Sequence, residues 1–322
     1  MSHEGRIFAS APAAQSGDRL VEVNAQNGAV TPYPDQAWNT AGTDTEHEWA
    51  VPQAMWVDKA DHLWVLDSGR AVLADAGPGA KPKLVEFDLS SNTMIRSYGF
   101  DGTAAPTDSL NDVRIDLVHG YAYLTNVGNR GSLVVLNLKT GKSRQVLVGD
   151  RSTFADPRQH LMIGDQPALT NDGKQVAIHA DGIARSPDAK WLYYRPLTDH
   201  NYWRVPTRAL IDAGLAPTQL SRKVQYLGSA ELTGGLIMSP RGTLYGGDLE
   251  HSTVVPLDID PATHKVKSHL FVRAPGRLSW ADGFAISQGY LYIADSRLWE
   301  VTFKNHLPRS GPFTIFKVKL PS

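Results

Sequence analysis

The sequence predicts an all-β fold, a six-bladed β-propeller with four-stranded blades around a central channel. One pattern recurs five times: a small or polar residue, an apolar run, Asp or Ser, a turn, and a second apolar run. A repeat of about 40–50 residues built from short strands is typical of propellers. No long amphipathic helical pattern interrupts the repeats. The five copies begin at Gln53, Asn111, Asp181, Gly234 and Asp282.

Apolar runs bounded by turn signals supply the other strands of each blade. The predicted third strands are Lys83–Asp88, Leu133–Asn137 and Tyr202–Pro206. The predicted fourth strands are Thr93–Tyr98, Ser143–Leu147 and Val266–Phe271. The sixth blade is expected from Gly5–Ser10, Leu20–Asn24 and Val30–Tyr33, while Phe313–Leu320 completes the blade of the fifth copy. The tryptophans expected to pack between blades are Trp64, Trp191 and Trp299.

The first blade lacks a predicted inner strand. Met1–Ser10 aligns with Met238–Gly247, so Ser2 stands where an inner strand would end. We expect the natural product to extend upstream with the missing strand and a secretion signal; the alternative is a first blade with a different inner strand. Residues 1–322 are interpreted as one domain, periplasmic or secreted if such a signal exists.

Composition narrows the class of partner. The 322 residues are 42% hydrophobic and carry a net charge of −1, which argues against a nucleic-acid surface. No apolar stretch approaches the roughly 20 residues needed to span a bilayer. The chain has no cysteine, which excludes disulfides and a thiol nucleophile. We expect a small-molecule ligand or substrate and a monomer or weak oligomer.

Two long connections and one short helix are predicted outside the repeats. Ser68–Pro82 is rich in Gly, Ala and Pro. Asp150–Ala180 carries Phe154 and is predicted to form a flap with a short helix or hairpin over the site. Thr207–Ala213 is predicted to form one helical turn.

Six motifs in order along nearly the whole chain resemble the major royal jelly protein/yellow family, in its bacterial branch. They are Gly5–Ser10, Thr31–Pro34 with Trp38-Asn39, Leu63–Gly69, Leu110–Asp112, Asp181–Leu197 and Trp280–Phe284. The resemblance implies a six-bladed propeller and diverse functions, including binding of small amines and proposed dopachrome conversion. The wider relatives, gluconolactonase/senescence marker proteins and paraoxonases, hold a divalent cation in the channel with Glu, Asn and Asp.

The residues that open the copies are expected to converge on the mouth of the channel. The resemblance implies that Asp181, Asp282 and Asn111 would hold a calcium or zinc ion there, with Gln53 as a further ligand-binding residue. Gln53 replaces the Glu of the lactonase pattern, and Gly234 replaces its Asp. Because a hard cation takes about 6–8 oxygen ligands, these replacements weaken a metal site. The alternative is that both aspartates cap strand ends.

Neighbouring side chains could complete such a site. His179 and Asp181 are candidate catalytic residues, with the imidazole as general base; the alternative is a histidine at the rim. Trp280 and Phe154 are candidate walls of the pocket, although Trp in propellers more often packs between blades. Glu46–Glu48 lacks the second His of a zinc helix and is interpreted as an acidic loop.

The last residues of the second strands form another set of aligned positions. They are interpreted as turn residues on the face opposite the predicted site. The members of this set are Asp67, Asn126, Asp248 and Asp295.

Two functions remain open. An enzyme would use metal-assisted hydrolysis or isomerisation of a lactone-like or cyclic carbonyl substrate. A binding protein would hold a small amine without catalysis. A protein-interaction platform is less favoured, and neither a Gly-x-Ser-x-Gly elbow nor a phosphate-binding loop is present.

Overall fold

The computed structural model describes residues 1–11, 17–40, 42, 44–71, 80–128, 130–298, 303–304 and 313–321. Antiparallel sheets of mostly four strands follow one another along the chain, which confirms the predicted six-bladed β-propeller. By contact density the chain divides into two compact units, residues 1–129 with 134–145, and residues 130–133 with 146–322. Part of the Ser68–Pro82 connection and Trp299 lie outside the described residues.

The first unit contains blades 1 and 2 and most of blade 3. Blade 1 has β1 (Ile7–Ser10), β2 (Leu20–Val23) and β3 (Val30–Pro32), followed by the helix α1 (Gln36–Asn39). Blade 2 has β4 (Pro52–Val57), β5 (His62–Asp67), β6 (Lys83–Asp88) and β7 (Thr93–Gly99). Blade 3 has β8 (Leu110–Asp116), β9 (Tyr121–Asn126), β10 (Ser132–Asn137) and β11 (Ser143–Val146).

The second unit contains blades 4 to 6. A hairpin, β12 (Met162–Ile163) and β13 (Gln166–Pro167), lies in the predicted flap. Blade 4 has β14 (Ala180–Arg185), β15 (Trp191–Pro196), β16 (Asn201–Pro206) and β17 (Gln225–Ser229), with helices α2 (Thr207–Ile211) and α3 (Pro217–Ser221) before the last strand. Blade 5 has β18 (Thr233–Met238), β19 (Leu244–Asp248), β20 (Thr253–Ile259), β21 (Val266–Ser268) and β22 (Val272–Arg273). Blade 6 has β23 (Ala281–Ser287), β24 (Tyr290–Asp295) and β25 (Thr314–Lys319).

The terminal strands pair as the sequence predicts. β25 runs antiparallel to β24, with Tyr290 opposite Lys319 and Asp295 opposite Thr314. In blade 1, β1 pairs with β2 and the described residues supply no further strand on its other side.

Apolar side chains between neighbouring blades form the core. In the first unit, Trp64 is 1% exposed and packs with residues of blades 2 and 3. In the second, Leu236 and Tyr202 join a cluster from blades 4 and 5, and Trp191 packs against it. The tryptophan packing predicted at positions 64 and 191 is therefore present. None of the described helices is long and apolar enough to span a membrane.

Candidate functional site

The first strand of each of the five repeat blades has a β-bulge near its start. In blade 2, Pro52 pairs with Asp67 and Ala54 pairs with Leu66, which leaves Gln53 as an extra residue. The same shift recurs in blades 3 to 6. The residues within the bulges are Gln53, Asn111–Asp112, Asp181–Gly182, Gly234–Gly235 and Asp282. A bulge turns a side chain out of the regular alternation of a strand. Because the bulge recurs in all five blades, the residues that open the five repeats occupy structurally equivalent positions.

In the first unit, two of these residues bind each other. β4 and β8 are neighbours, and Gln53 Nε2 donates a hydrogen bond of 3.0 Å to Asn111 Oδ1. The Asn111 Oδ1 atom, through which this residue would bind a cation, therefore already accepts a hydrogen bond from an N–H group.

In the second unit, glycine lets three first strands approach closely. β18 contacts β14 on one side and β23 on the other. A Cβ atom on Gly234 would lie 2.8 Å from Asp282 Oδ1, and one on Gly235 would lie 1.7 Å from the Asp282 carbonyl oxygen. A Cβ on Gly182 would lie 2.5 Å from the Gly234 carbonyl oxygen. The Asp282 carboxylate thus occupies space that any larger residue at position 234 would need.

Asp181 is 6% exposed and stands two residues after His179, which is equally buried. The Phe154 ring stacks on the His179 ring with centroids 4.2 Å apart, and Phe154 itself is 39% exposed. The Ala155 N–H donates to His179 Nδ1 at 3.2 Å. Because Nδ1 accepts this bond, the imidazole carries its proton on Nε2, which leaves neither nitrogen as a ready general base.

Trp280 is 1% exposed, and its ring centroid lies 5.7 Å from that of Phe303. The Asp295 carboxylate accepts hydrogen bonds from the backbone N–H groups of Ser279 and Trp280. This arrangement fits the packing alternative for Trp280, and its role as a pocket wall stays a prediction.

The side chains that end the second strands fix the segments that lead into the bulges. Asp67 accepts from the N–H groups of Ala50 and Val51, and Asn126 Oδ1 accepts from that of Ser109. The predicted turn chemistry is confirmed for both residues, because Asp67 Oδ1 also accepts from the Gly69 N–H and Asn126 Oδ1 from the Gly128 N–H. Their predicted position on the opposite face is wrong, because an antiparallel second strand ends where the first strand begins.

Lys83 binds the backbone carbonyl groups in and next to the acidic loop Glu46–Glu48. Lys83 Nζ donates to the carbonyl oxygens of Thr45, Glu46 and Glu48 at 2.6–3.2 Å. Burial lowers the pKa of this lysine. No metal-binding geometry arises among the described residues of this loop.

One group of potential metal ligands was not predicted. Atoms of Asp58, His62 and Glu86 lie within 4.8 Å of one another, at the end of β4 remote from Gln53. Asp58 accepts from Ala60 N–H and Trp64 Nε1, and His62 Nδ1 lies 2.8 Å from Glu86 Oε1. Burial raises the pKa of Glu86. The spacing of Asp58 and His62 was visible in the sequence, but only the strand register brings Glu86 to them.

Comparisons with known proteins agree on family and fold. The sequence profile described as "Major royal jelly protein" matches residues 52–321. Major royal jelly protein 7 of Apis mellifera is 27% identical over 241 residues, 70% of this chain and 50% of that protein. Protein yellow of Drosophila melanogaster is 28% identical over 193 residues, 57% of this chain and 34% of that protein. The chain spans half or less of the length of these two curated relatives.

Solved structures with a similar fold include lactonases. A gluconolactonase from Xanthomonas campestris has a TM-score of 0.51 at 16% identity, covering 95% of this chain and 80% of that one. A protein described as a putative 6-phosphogluconolactonase from Bacteroides uniformis has a TM-score of 0.53 at 15% identity, covering 96% and 80%. At these identities the likeness shows the fold alone.

Proposed function

Because this chain belongs to the major royal jelly protein family and carries carboxylates in two equivalent bulges, we propose that it binds a small organic amine at Asp181 and Asp282. The observation that carries the proposal is the position of the Asp282 carboxylate against Gly234. Glycine at this bulge removes one ligand of the lactonase pattern and makes room for a carboxylate from the next blade.

An ammonium group suits these surroundings better than a metal ion does. It needs a few acceptors and gains further from an aromatic face, whereas calcium takes about 6–8 oxygen ligands. In the second unit the bulges supply the carboxylates of Asp181 and Asp282, and Gly234 supplies no side chain. Phe154 is exposed and stacks on His179, next to Asp181, where it offers an aromatic face.

A divalent cation is a poorer fit to the bulge residues. Asn111 Oδ1 accepts a hydrogen bond from the Gln53 amide, which occupies one of the two lone pairs that a cation could use. If calcium or zinc were nevertheless bound, Asp181 and Asp282 would be its carboxylate ligands, and it would polarise a carbonyl group of the substrate.

The second candidate function is lactone hydrolysis or isomerisation. It is supported by the fold shared with the gluconolactonase from X. campestris. In that case Asp181 would move the proton, because the imidazole of His179 is tied by Nδ1 to the backbone of Ala155.

Calorimetric titration separates these functions. Tyramine and its uncharged analogue 4-ethylphenol share a phenol ring, and we expect only tyramine to bind measurably. Asp181→Asn removes the charge but keeps the shape, and it should weaken tyramine binding about tenfold or more. The melting temperature should change little.

Asp172→Asn is the matched control, because Asp172 is an exposed carboxylate paired with Lys174. Equal affinity for tyramine and 4-ethylphenol, or no effect of Asp181→Asn and Asp282→Asn, would contradict amine binding. Hydrolysis of glucono-1,5-lactone that depends on added calcium or zinc would instead support the second function.

A further inference from the structure

The second unit has two adjoining open pockets at the ends of blades 4 and 5 remote from the bulges. One, of about 390 Å³, is lined by Tyr193, Arg204, Asp258 and His264 among others. The other, of about 340 Å³, continues along Trp191 and Met238, and the two share Tyr193 and Gly242.

The histidine in this groove stands at a conformationally unusual position. Four turns between third and fourth strands begin with Asn or Asp and have a residue with positive φ four positions later. These residues are Gly28 (φ 73°), Asn92 (φ 55°), Gly141 (φ 72°) and His264 (φ 55°). Glycine adopts the left-handed region without steric cost, and asparagine, aspartate and histidine adopt it more often than other residues do. The turn therefore accommodates His264, whose side chain lines the first pocket.

Arg204 holds the imidazole above the pocket. Its Nη2 donates to His264 Nδ1 at 3.2 Å, and its Nε donates to Gln225 Oε1 at 2.9 Å. Its Nη1 lies 3.4 Å from the Tyr193 hydroxyl, and its guanidinium carbon lies 4.1 Å from the centroid of the Trp191 ring. His264 accepts through Nδ1 and so presents Nε2–H as a donor.

Charges of both signs line the groove, namely the Arg204 guanidinium and the Asp258 and Asp260 carboxylates. Asp258 pairs with His269 at 3.3 Å, and Asp260 Oδ1 accepts from the N–H groups of Ala262 and Thr263. Each guanidinium nitrogen of Arg204 has a partner, as above. A ligand of either charge would meet a like charge in this groove, whereas a neutral ligand rich in hydroxyl groups could form hydrogen bonds with groups of both signs.

We infer that this groove is a second ligand site, which takes a neutral saccharide. Tyr193, His264 and the Asp258 carboxylate provide hydroxyl, N–H and carboxylate groups for sugar hydroxyls. Pro261 and Ile259 provide apolar contacts for the C–H face of the ring. This site is separate from the proposed amine site, whose aspartates lie in the bulges of blades 4 and 6.

A saccharide array probed with the full chain tests the inference. We expect retention on neutral mono- or disaccharides, and weaker retention on their uronic-acid counterparts. In titrations with the best neutral saccharide, His264→Asn and Tyr193→Phe should each lower affinity about tenfold. Asparagine suits the left-handed turn, so His264→Asn should keep or raise the melting temperature.

Asp181→Asn serves as the control for the other site and should leave saccharide affinity unchanged. Failure of the array to retain the protein on any neutral saccharide would overturn the inference. So would a bound saccharide whose affinity is the same for wild type, His264→Asn and Tyr193→Phe. Neither result would bear on tyramine binding at Asp181.

Discussion

Gly234 fixes where the carboxylate of the neighbouring blade lies. A Cβ atom at position 234 would lie 2.8 Å from Asp282 Oδ1, whereas glycine has only a hydrogen atom there. Sequence alignment identified the missing side chain at this position as a lost ligand, but alignment could not show that Asp282 fills the space. The distinction matters because a lost ligand weakens a metal site, whereas a relocated carboxylate creates a different site.

Gly234→Ala should therefore displace the Asp282 carboxylate. We expect tyramine affinity to fall about tenfold and the free energy of unfolding to fall by about 1–3 kcal/mol, the usual cost of overpacking. Titration calorimetry and denaturant unfolding measure the two effects.

Gly99→Ala is the control, because a Cβ at Gly99 meets nothing within 4 Å. Unchanged tyramine affinity in Gly234→Ala would show that the contact with Asp282 does not position the ligand.

Asp67 ties the segment before β4 to the end of β5. It is fully buried and accepts from the N–H groups of Ala50, Val51 and Gly69. In Asp67→Asn an NH₂ group replaces one acceptor and faces a backbone donor. We expect the free energy of unfolding to fall by about 2 kcal/mol, measured with urea. A loss below about 0.5 kcal/mol would mean that these bonds contribute little.

At the scale of elements, an arginine stacked on an aromatic ring joins neighbouring blades within each unit. Arg6 Nη1 donates to the Leu89 carbonyl, and Arg96 Nη1 donates to the Leu138 carbonyl. Arg204 makes the corresponding contact with the His264 side chain. Each reaches the turn between the third and fourth strands of the next blade.

Arg96→Ala should lower the free energy of unfolding by about 1–2 kcal/mol. The change removes a hydrogen bond and a contact with the Tyr98 ring, whose centroid lies 4.6 Å from the guanidinium carbon. Urea unfolding measures it, with the exposed Lys139→Ala as control. An equal loss of unfolding free energy in the two variants would contradict a structural role for Arg96.

The strands were largely predictable and the bulges were not. The sequence predicts strands at Lys83–Asp88 and Asp181–Arg185 because each segment has apolar residues and is bounded by turn signals. The structure places β6 and β14 there. A bulge depends on how two strands pair, and one sequence pattern fits both a regular and a bulged start. The pairing of Gln53 with Asn111 likewise depends on the neighbouring blade.

At the scale of the whole molecule, ligand binding should not respond to chelation of metal ions. The Asn111 amide oxygen accepts from Gln53, and Gly234 contributes no ligand, so neither of these two positions requires a metal. We expect excess EDTA to leave the tyramine affinity unchanged. A lower affinity after EDTA, restored by calcium or zinc, would favour the metal-assisted function.

A crystal structure of the protein with bound tyramine tests the proposed site most directly. We predict the ammonium nitrogen within hydrogen-bonding distance of the Asp181 or Asp282 carboxylate, and the phenol ring against Phe154. Tyramine bound away from both aspartates, or a metal ion coordinated by them, would contradict the amine site.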